Sequence, residues 1–216
     1  MTTTDMPTLF GATYSVYTRI PRLVLEEKAV PYRLEEIDIF APGGPPAGYL
    51  ARQPFGRIPA FEHDGLRLYE SGAISRYVDD AFPGPALQPS DARGRARVNQ
   101  VISICDSYAY RTMVWDIFVE RVRVPAQGRI SDEARIAAAV VRARTCLGVL
   151  EQLLSSDPWL AGPALTLADL HAYPMLALFR LADEGARLLA AHPGVEHWRQ
   201  AMAARASVQA TRSPME

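Results

Sequence analysis

Short apolar stretches and helix-like stretches alternate over the first third of the chain. Residues 7–10 form an apolar run, residues 22–30 have a helical composition, and residues 32–40 alternate polar and apolar side chains. Pro31 ends the helical stretch, because the residue before a proline disfavours the helical backbone conformation. The pattern predicts strand, helix and strand, which is a βαβ unit.

A hairpin follows this unit. The strand-like residues 58–63 and 66–69 flank Asp64-Gly65, a dipeptide that suits the positive φ angles of a two-residue hairpin turn. Residues 70–82 then carry apolar side chains at helical spacing, and Glu70 places a carboxylate at the positive end of that helix. The first part of the chain therefore reads βαβ, loop, ββα.

The composition changes after a stretch rich in Pro and Gly at residues 83–90. Beyond it Gly and Pro become sparse, whereas Ala, Leu and Arg dominate. The predicted helices cover residues 91–122, 131–154, 166–181 and 195–206. We therefore expect one domain over residues 1–83, a linker over 84–91 and an all-helical domain over 92–216.

Length and charge narrow the class of protein. A chain of 216 residues is long for one domain and sufficient for two. Its formal net charge of −1 lacks the basic excess that binding to nucleic acid phosphates requires. No apolar run reaches the roughly 20 residues that span a bilayer, and residues 1–5 lack the features of a signal peptide. We expect a cytoplasmic protein with neither a nucleic acid nor a membrane partner.

The chain contains two cysteines, Cys105 and Cys146, and both fall in predicted helices. This spacing supports neither a disulfide framework nor a metal site, so we expect both side chains to pack in the core.

Several segments, in this order, resemble the cytosolic glutathione S-transferases. The chain is most similar to bacterial members of the serine-type classes, of which theta, zeta and phi are examples. The matching segments are residues 9–15 (Leu-Phe-Gly-Ala-Thr-Tyr-Ser) with Arg19, residues 53–60 (Gln-Pro-Phe-Gly-Arg-Ile-Pro-Ala), residues 68–71 (Leu-Tyr-Glu-Ser), residues 159–162, residues 165–169 and residues 193–207. Taken singly, these are common folding elements; residues 166–169, for example, form a helix capping box with Asp in place of Glu. Their order and spacing carry the resemblance.

The resemblance implies a fold and an activity. The fold would be an α/β N-terminal thioredoxin-like domain (βαβαββα) followed by an all-α C-terminal helical bundle domain. The activity would be that of a glutathione transferase, an enzyme that conjugates the thiolate of its co-substrate glutathione to a small hydrophobic electrophile, with no metal. The resemblance also implies that this transferase serves in detoxification.

Ser15 is the residue that the resemblance places at the glutathione sulfur. A thiolate is the reactive form, so a donor to the sulfur and a helix N-terminus both favour the reaction. The same position also suits a helix N-cap without catalytic function. Pro21 lies too deep for a helix that begins at Ser15, so we expect a later start with Thr18 as the cap. Tyr14, Tyr17 and Thr18 then stay open as alternative contacts of the sulfur.

The remaining glutathione contacts are also implied by the resemblance. Ile58 would present its backbone to the cysteinyl part before a cis Pro59, and Glu70 with Ser71 would hold the γ-glutamyl end. Phi-class members have a His-Lys pair for the glycyl carboxylate in the loop before the Pro-Phe-Gly segment, whereas residues 42–47 contain no cation. Arg57 would then bind the glycyl carboxylate, unless it is only a solvated residue beside the strand.

A second site is implied in the helical domain. Tyr14, Tyr108, Met113 and Trp115 are the expected contacts of the hydrophobic substrate. The predicted helix over residues 91–122 carries more apolar side chains than one core-facing stripe uses, which favours a two-fold homodimer. Asp106 would reach the γ-glutamyl ammonium of the neighbouring subunit, unless it is merely a solvated helix residue. A non-catalytic glutathione-binding or protein-interaction module on the same fold is the alternative function.

Overall fold

The computed structural model describes residues 6–154 and 156–216, so residues 1–5, on which the signal-peptide expectation rests, lie outside the described part. The chain forms two compact units. The first comprises the residues up to Ala86 together with Ala206–Met215, and the second comprises Leu87–Arg205.

The first unit contains a four-stranded sheet in the order β2-β1-β3-β4. Strand β1 is parallel to β2 and antiparallel to β3, and β3 is antiparallel to β4. The elements are β1 (Thr8–Gly11), α1 (Val16–Glu27), β2 (Arg33–Glu36), a 3₁₀ turn (Tyr49–Ala51), β3 (Ala60–His63), β4 (Leu66–Tyr69) and α2 (Ser71–Ala81). The predicted α/β thioredoxin-like fold is confirmed, and a single 3₁₀ turn occupies the place of its second helix.

Local sequence signals explain these elements. The β3–β4 hairpin turns at Asp64 and Gly65, which have φ angles of 49° and 76° as the Asp-Gly signal predicts. Helix α1 ends where Ala29 takes a φ of 53°. Helix α1 begins at Val16 and contains Pro21 in its interior, so the expected late start at Thr18 is wrong.

The second unit is all-helical, as predicted. Its helices are α3 (Ala92–Ile104), a wider π-type helix (Cys105–Arg123), α4 (Val124–Ala126), α5 (Glu133–Leu153), α6 (Leu167–Phe179), α7 (Asp183–Ala190) and α8 (Pro193–Ala203). Helix α9 (Ala206–Ala210) belongs to the first unit. Helix α7 had no counterpart among the predicted helices.

Side-chain caps set the starts of several of these helices. Asp91 caps α3, and Asp132 caps α5. The predicted capping box of α6 is confirmed: Thr166 accepts from the Ala168 amide, and Asp169 accepts from the Thr166 amide at 2.9 Å. The carboxylate of Asp169 also accepts from the Trp198 indole at 2.9 Å. Burial raises the pKa of Asp169, whereas these donors oppose the rise.

The structure divides the chain differently from the predicted domains at two places. The predicted linker is not a free segment, because the ammonium of Lys28 donates to the Pro85 carbonyl at 3.2 Å, and the Leu87 carbonyl accepts from the Leu167 amide at 2.9 Å. Residues 206–215 pack with the first unit, since the buried guanidinium of Arg19 donates to the Val208 carbonyl at 3.1 Å. Both contacts join residues far apart in sequence.

Candidate glutathione site

One end of the sheet gathers the three predicted ligand-binding segments. Phe10 near the end of β1 pairs with Ala60 at the start of β3, and Ala60 pairs with Tyr69 at the end of β4. The loop after β1, the loop before β3 and the start of α2 therefore lie at the same end of the sheet. Sequence order alone separates these segments by tens of residues.

Ser15 is the N-cap residue of α1. Its Oγ accepts a hydrogen bond from the Thr18 amide at 3.2 Å, and its backbone is extended, as an N-cap requires. Accepting this bond leaves the hydroxyl proton available for a further acceptor. The capping and catalytic interpretations of Ser15 are therefore compatible, because they use different parts of one hydroxyl.

The structure argues against two of the three alternative sulfur contacts. Thr18 is fully buried. The Tyr14 hydroxyl donates to Asp38 Oδ1 at 3.1 Å, and burial, together with this carboxylate, raises the pKa of Tyr14 to about 12. A phenol that donates to a carboxylate does not readily donate to a thiolate as well. Ser15 and the half-buried Tyr17 stay as candidates.

The Ile58–Pro59 peptide bond is cis, which confirms the prediction. The Ile58 side chain packs in a cluster with Ala12 and Tyr49. Its backbone N–H and C=O make no hydrogen bond with the residues of 6–154 and 156–216. This unpaired backbone edge suits an extended peptide ligand.

The start of α2 offers one carboxylate and several amides. Glu70 is exposed, has a φ of 71°, and its carboxylate makes no hydrogen bond or ion pair within the described ranges. No side chain caps the first amides of α2, so they are available to an anion. A positive φ in a residue other than glycine is strained and is found at functional sites. The Glu70 carboxylate therefore complements the ammonium of a γ-glutamyl group, and the first amides of α2 complement its carboxylate.

Ser71 has a hydrogen-bond partner within the chain. Its Oγ donates to the Tyr17 carbonyl at 2.7 Å, and the residue is 5% exposed. The structure thus places Ser71 beside Glu70 as predicted, but directs its hydroxyl proton towards α1.

Arg57 combines a fixed backbone with a free side chain. Its amide donates to Gln53 Oε1 at 3.2 Å, and its carbonyl accepts from the Tyr49 hydroxyl at 2.8 Å. The guanidinium is exposed and makes no ion pair with any residue that the structure describes. A cation that lacks an internal partner remains available to a ligand carboxylate.

The comparisons with known proteins agree with this geometry. The family model of the glutathione S-transferase N-terminal domain matches residues 9–86, and that of the glutathione S-transferase C-terminal domain matches residues 133–201. Glutathione S-transferase 4 of Zea mays is 31% identical over 197 residues, which cover 91% of this chain and 87% of the relative. The chain belongs to the glutathione S-transferase family.

Solved structures of glutathione S-transferases show the same fold. Glutathione S-transferase III in its apo form superposes with a TM-score of 0.86 at 27% identity, covering 97% of this chain and 98% of that one. Glutathione S-transferase I from maize, in complex with an atrazine glutathione conjugate, gives a TM-score of 0.83 at 28% identity, and 96% of each chain is covered.

Within this glutathione S-transferase, the residues predicted for the hydrophobic substrate differ in exposure. Tyr108 is 63% exposed and Trp115 is half-buried, so each has surface to offer a ligand. Met113 has no exposed surface. We therefore withdraw Met113 from the predicted substrate site and assign it to the core of the helical unit.

Asp106 is not merely solvated. Its Oδ1 lies 2.8 Å from Nε2 of His171, a side chain that is 1% exposed, whereas the side chain of Asp106 is 43% exposed. The carboxylate thus holds a buried histidine within its own chain. Its second predicted role, towards a neighbouring subunit, stays a prediction.

Gln53 contributes to the site in a way that the sequence analysis missed. Gln53 is buried, and its Oε1 accepts from the Phe55 and Arg57 amides at 2.7 and 3.2 Å, which shapes the loop before the cis proline. The signal available in the sequence was a Gln directly before Pro-Phe-Gly.

Residues 6–154 and 156–216 contain no group of three or more His, Cys, Asp or Glu side chains placed to hold a metal ion. None of the helices in those ranges has the length and apolar character to cross a membrane.

Proposed function

We propose that this protein stabilises the thiolate of glutathione at Ser15 and conjugates it to a small hydrophobic electrophile. The observation that carries the proposal is the set of unsatisfied groups at one end of the sheet. These are the Ser15 hydroxyl proton, the Ile58 backbone, the Glu70 carboxylate and the first amides of α2. Each complements a different part of the tripeptide.

The chemistry follows from these groups. The γ-glutamyl ammonium pairs with Glu70, and its carboxylate accepts from the α2 amides. The cysteinyl backbone pairs with Ile58 beside the cis Pro59. Ser15 donates to the sulfur, which loses its proton to solvent and forms a bond to the electrophilic carbon. That carbon in turn releases its leaving group as an anion, or passes the electron pair of its double bond to a neighbouring atom that takes a proton from solvent. Because a lower thiol pKa also weakens the nucleophile, most of the acceleration comes from holding thiolate and electrophile together.

Arg57 is the proposed partner of the glycyl carboxylate. We expect Arg57→Gln to raise the KM for glutathione several-fold with little change in kcat, since the contact is the same in the ground and transition states. Glutathione esterified at glycine is the matched control, because it lacks the carboxylate. Equal losses with both substrates would contradict the assignment.

We also propose a cytoplasmic detoxification role, a two-fold homodimer, and Tyr14, Tyr108 and Trp115 as electrophile contacts. Maize glutathione S-transferase I, which holds an atrazine conjugate, supports electrophiles of this type. Sedimentation at micromolar concentration tests the dimer, and a single species of monomer mass contradicts it. Unchanged glutathione affinity in Asp106→Ala contradicts the contact of Asp106 with the neighbouring subunit.

Calorimetry with glutathione and turnover with a panel of electrophiles test the function itself. Binding with formation of thiolate and conjugate is the expected result. Binding without turnover on any electrophile would favour the non-catalytic glutathione-binding module, and absence of binding would refute both functions.

A further inference from the structure

The carboxyl ends of β1 and β2 lie side by side at the end of the sheet that carries the glutathione site. The two strands are parallel, with Gly11 opposite Glu36, and the Ile37 amide donates to the Gly11 carbonyl at 3.0 Å. The loop that leads from β1 to Ser15 and the residues that follow β2 therefore leave the sheet next to each other. Two acidic residues, Glu36 and Asp38, stand where β2 ends.

Glu36 holds the backbone of the loop that presents Ser15. Its Oε1 accepts from the Thr13 amide at 3.0 Å, and the Thr13 hydroxyl lies 3.5 Å from the same oxygen. The Ser15 amide donates to the Ala12 carbonyl at 3.0 Å, so residues 12–15 form one turn. A carboxylate that fixes the middle of this turn also fixes where the Ser15 hydroxyl lies.

Asp38 holds a side chain of the same loop. Its Oδ1 accepts from the Tyr14 hydroxyl at 3.1 Å and from the Phe40 amide at 2.9 Å. The Tyr14 ring lies 6.1 Å from the Phe40 ring, and the two rings are tilted by 33°. Since Tyr14 is a proposed contact of the electrophile, the bond to Asp38 restricts the orientation in which this ring meets the ligand.

The charge of these carboxylates has the wrong sign to assist the sulfur directly. A negative group near a thiol disfavours the thiolate, and Glu36 bonds an amide only two residues before Ser15. Electrostatic attraction therefore does not explain a favourable effect of these residues, whereas the geometry of their hydrogen bonds does. Between them, Ile37 is 9% exposed and packs in a cluster with Ala12, which keeps the end of β2 beside the loop.

We propose that Glu36 and Asp38 are positioning residues with separate tasks: Glu36 places the sulfur contact Ser15, and Asp38 places the electrophile contact Tyr14. The inference rests on the proposed function. It assigns both tasks to the acceptance of hydrogen bonds and not to charge. Removal of either acceptor should impair a different half of the reaction, whereas removal of the charge alone should impair neither.

Two pairs of variants separate these effects in the whole chain. Glu36→Ala and Asp38→Ala remove the acceptor, whereas Glu36→Gln and Asp38→Asn keep an acceptor oxygen and remove only the charge. The measurements are the pKa of bound glutathione, from the ultraviolet absorbance of its thiolate, and kcat and KM with an aromatic electrophile. Glu35→Ala is the matched control, because Glu35 is an exposed neighbour whose carboxylate makes no hydrogen bond or ion pair with the residues that the structure describes.

The two alanine variants should fail in different ways. Relative to Glu36→Gln, which carries the same change of charge, we expect Glu36→Ala to raise the pKa of bound glutathione and to lower kcat about 3- to 10-fold. Asp38→Ala should raise the KM for the electrophile about 3- to 10-fold and leave the pKa of bound glutathione unchanged. Glu36→Gln, Asp38→Asn and the control should stay within about twofold of the parent in kcat and KM.

Both residues are exposed, so all these variants are expected to fold. If Glu36→Gln is impaired as much as Glu36→Ala, the charge matters and the proposal is wrong. It is also wrong if Asp38→Ala shifts the thiolate pKa as Glu36→Ala does. Variants that match the parent in kinetics and thiolate pKa, even with a lower Tm, would show that the bonds serve stability alone and would overturn the proposal. A parent protein that forms no thiolate with glutathione refutes the proposed function itself, and this inference with it.

Discussion

Substitution of Ser15 removes two interactions that can be measured separately. The Oγ of Ser15 accepts from the Thr18 amide at 3.2 Å as an N-cap, and its proton is proposed to bond the glutathione sulfur. Ser15→Ala removes both interactions. Ser15→Gly also removes the hydroxyl, but glycine is a much better N-cap than alanine.

The expected magnitudes follow from these contacts. Loss of the cap costs about 1 kcal/mol of stability in Ser15→Ala and only a few tenths of a kcal/mol in Ser15→Gly. Loss of a hydrogen bond to a charged sulfur costs about 1.5–3 kcal/mol, which raises the pKa of the bound thiol by about 1 to 2. At a pH below the pKa of the thiol bound to the parent protein, the thiolate fraction then falls about 10- to 100-fold.

Part of this loss is offset, because a thiolate of higher pKa is a stronger nucleophile. With a Brønsted slope of about 0.4–0.5, the net fall in turnover at low pH is roughly 3- to 16-fold in both variants. The deficit should shrink as the pH rises through the raised pKa, because the variants then also become fully ionised. Glutathione affinity should stay within a few-fold of the parent.

Thermal unfolding and pH profiles of kcat test these expectations together. Stability should separate the two variants, whereas turnover should not. If Ser15→Gly retains full turnover while Ser15→Ala loses it, then turnover follows the cap and the hydroxyl does not contact the sulfur. The reasoning would also be refuted if the ratio of variant kcat to parent kcat did not change with pH. Tyr17 would then become the candidate for the sulfur contact.

Two further predictions concern the stability of the fold. Gly185→Ala places a Cβ in a steric clash with the carbonyl oxygen of Phe179 and should destabilise the protein by about 1–3 kcal/mol. Gly148→Ala places a Cβ in open space within α5 and should stabilise the protein by about 0.5–1 kcal/mol in denaturant unfolding. Similar effects from the two glycines would show that the close contact is unimportant. Lys28 and Asp79 form a buried ion pair at 3.0 Å. Lys28→Met leaves the Asp79 carboxylate without its cation and should lower the free energy of unfolding by about 3–5 kcal/mol, whereas the double change with Asp79→Leu should recover most of that stability. A double variant as unstable as the single one would contradict this account.

The sequence by itself determined the elements whose signals are local. The Asp64-Gly65 turn, the capping box of Thr166 and Asp169, and the order of strands and helices each depend on residues within a few positions of one another. Local signals of this kind are readable because their hydrogen bonds close over short loops. The cis bond before Pro59, in contrast, was implied by the family resemblance and not by a local signal.

The tertiary structure decided whichever features depend on distant partners. Pro21 argued for a late helix start, yet α1 begins at Val16, and the Tyr17 carbonyl accepts from Ser71, 54 positions away. Tyr14 is an unsuitable sulfur contact because its hydroxyl donates a hydrogen bond to Asp38.

Packing also decided which apolar side chains are accessible. Met113 and Tyr108 both lie on the helical stretch that was expected to contact the substrate, but Met113 is fully buried and Tyr108 is 63% exposed. A hydrophobic pattern marks the residues that leave water and does not say whether a core or a ligand covers them. That choice depends on how the helices of the unit pack, which no local pattern encodes.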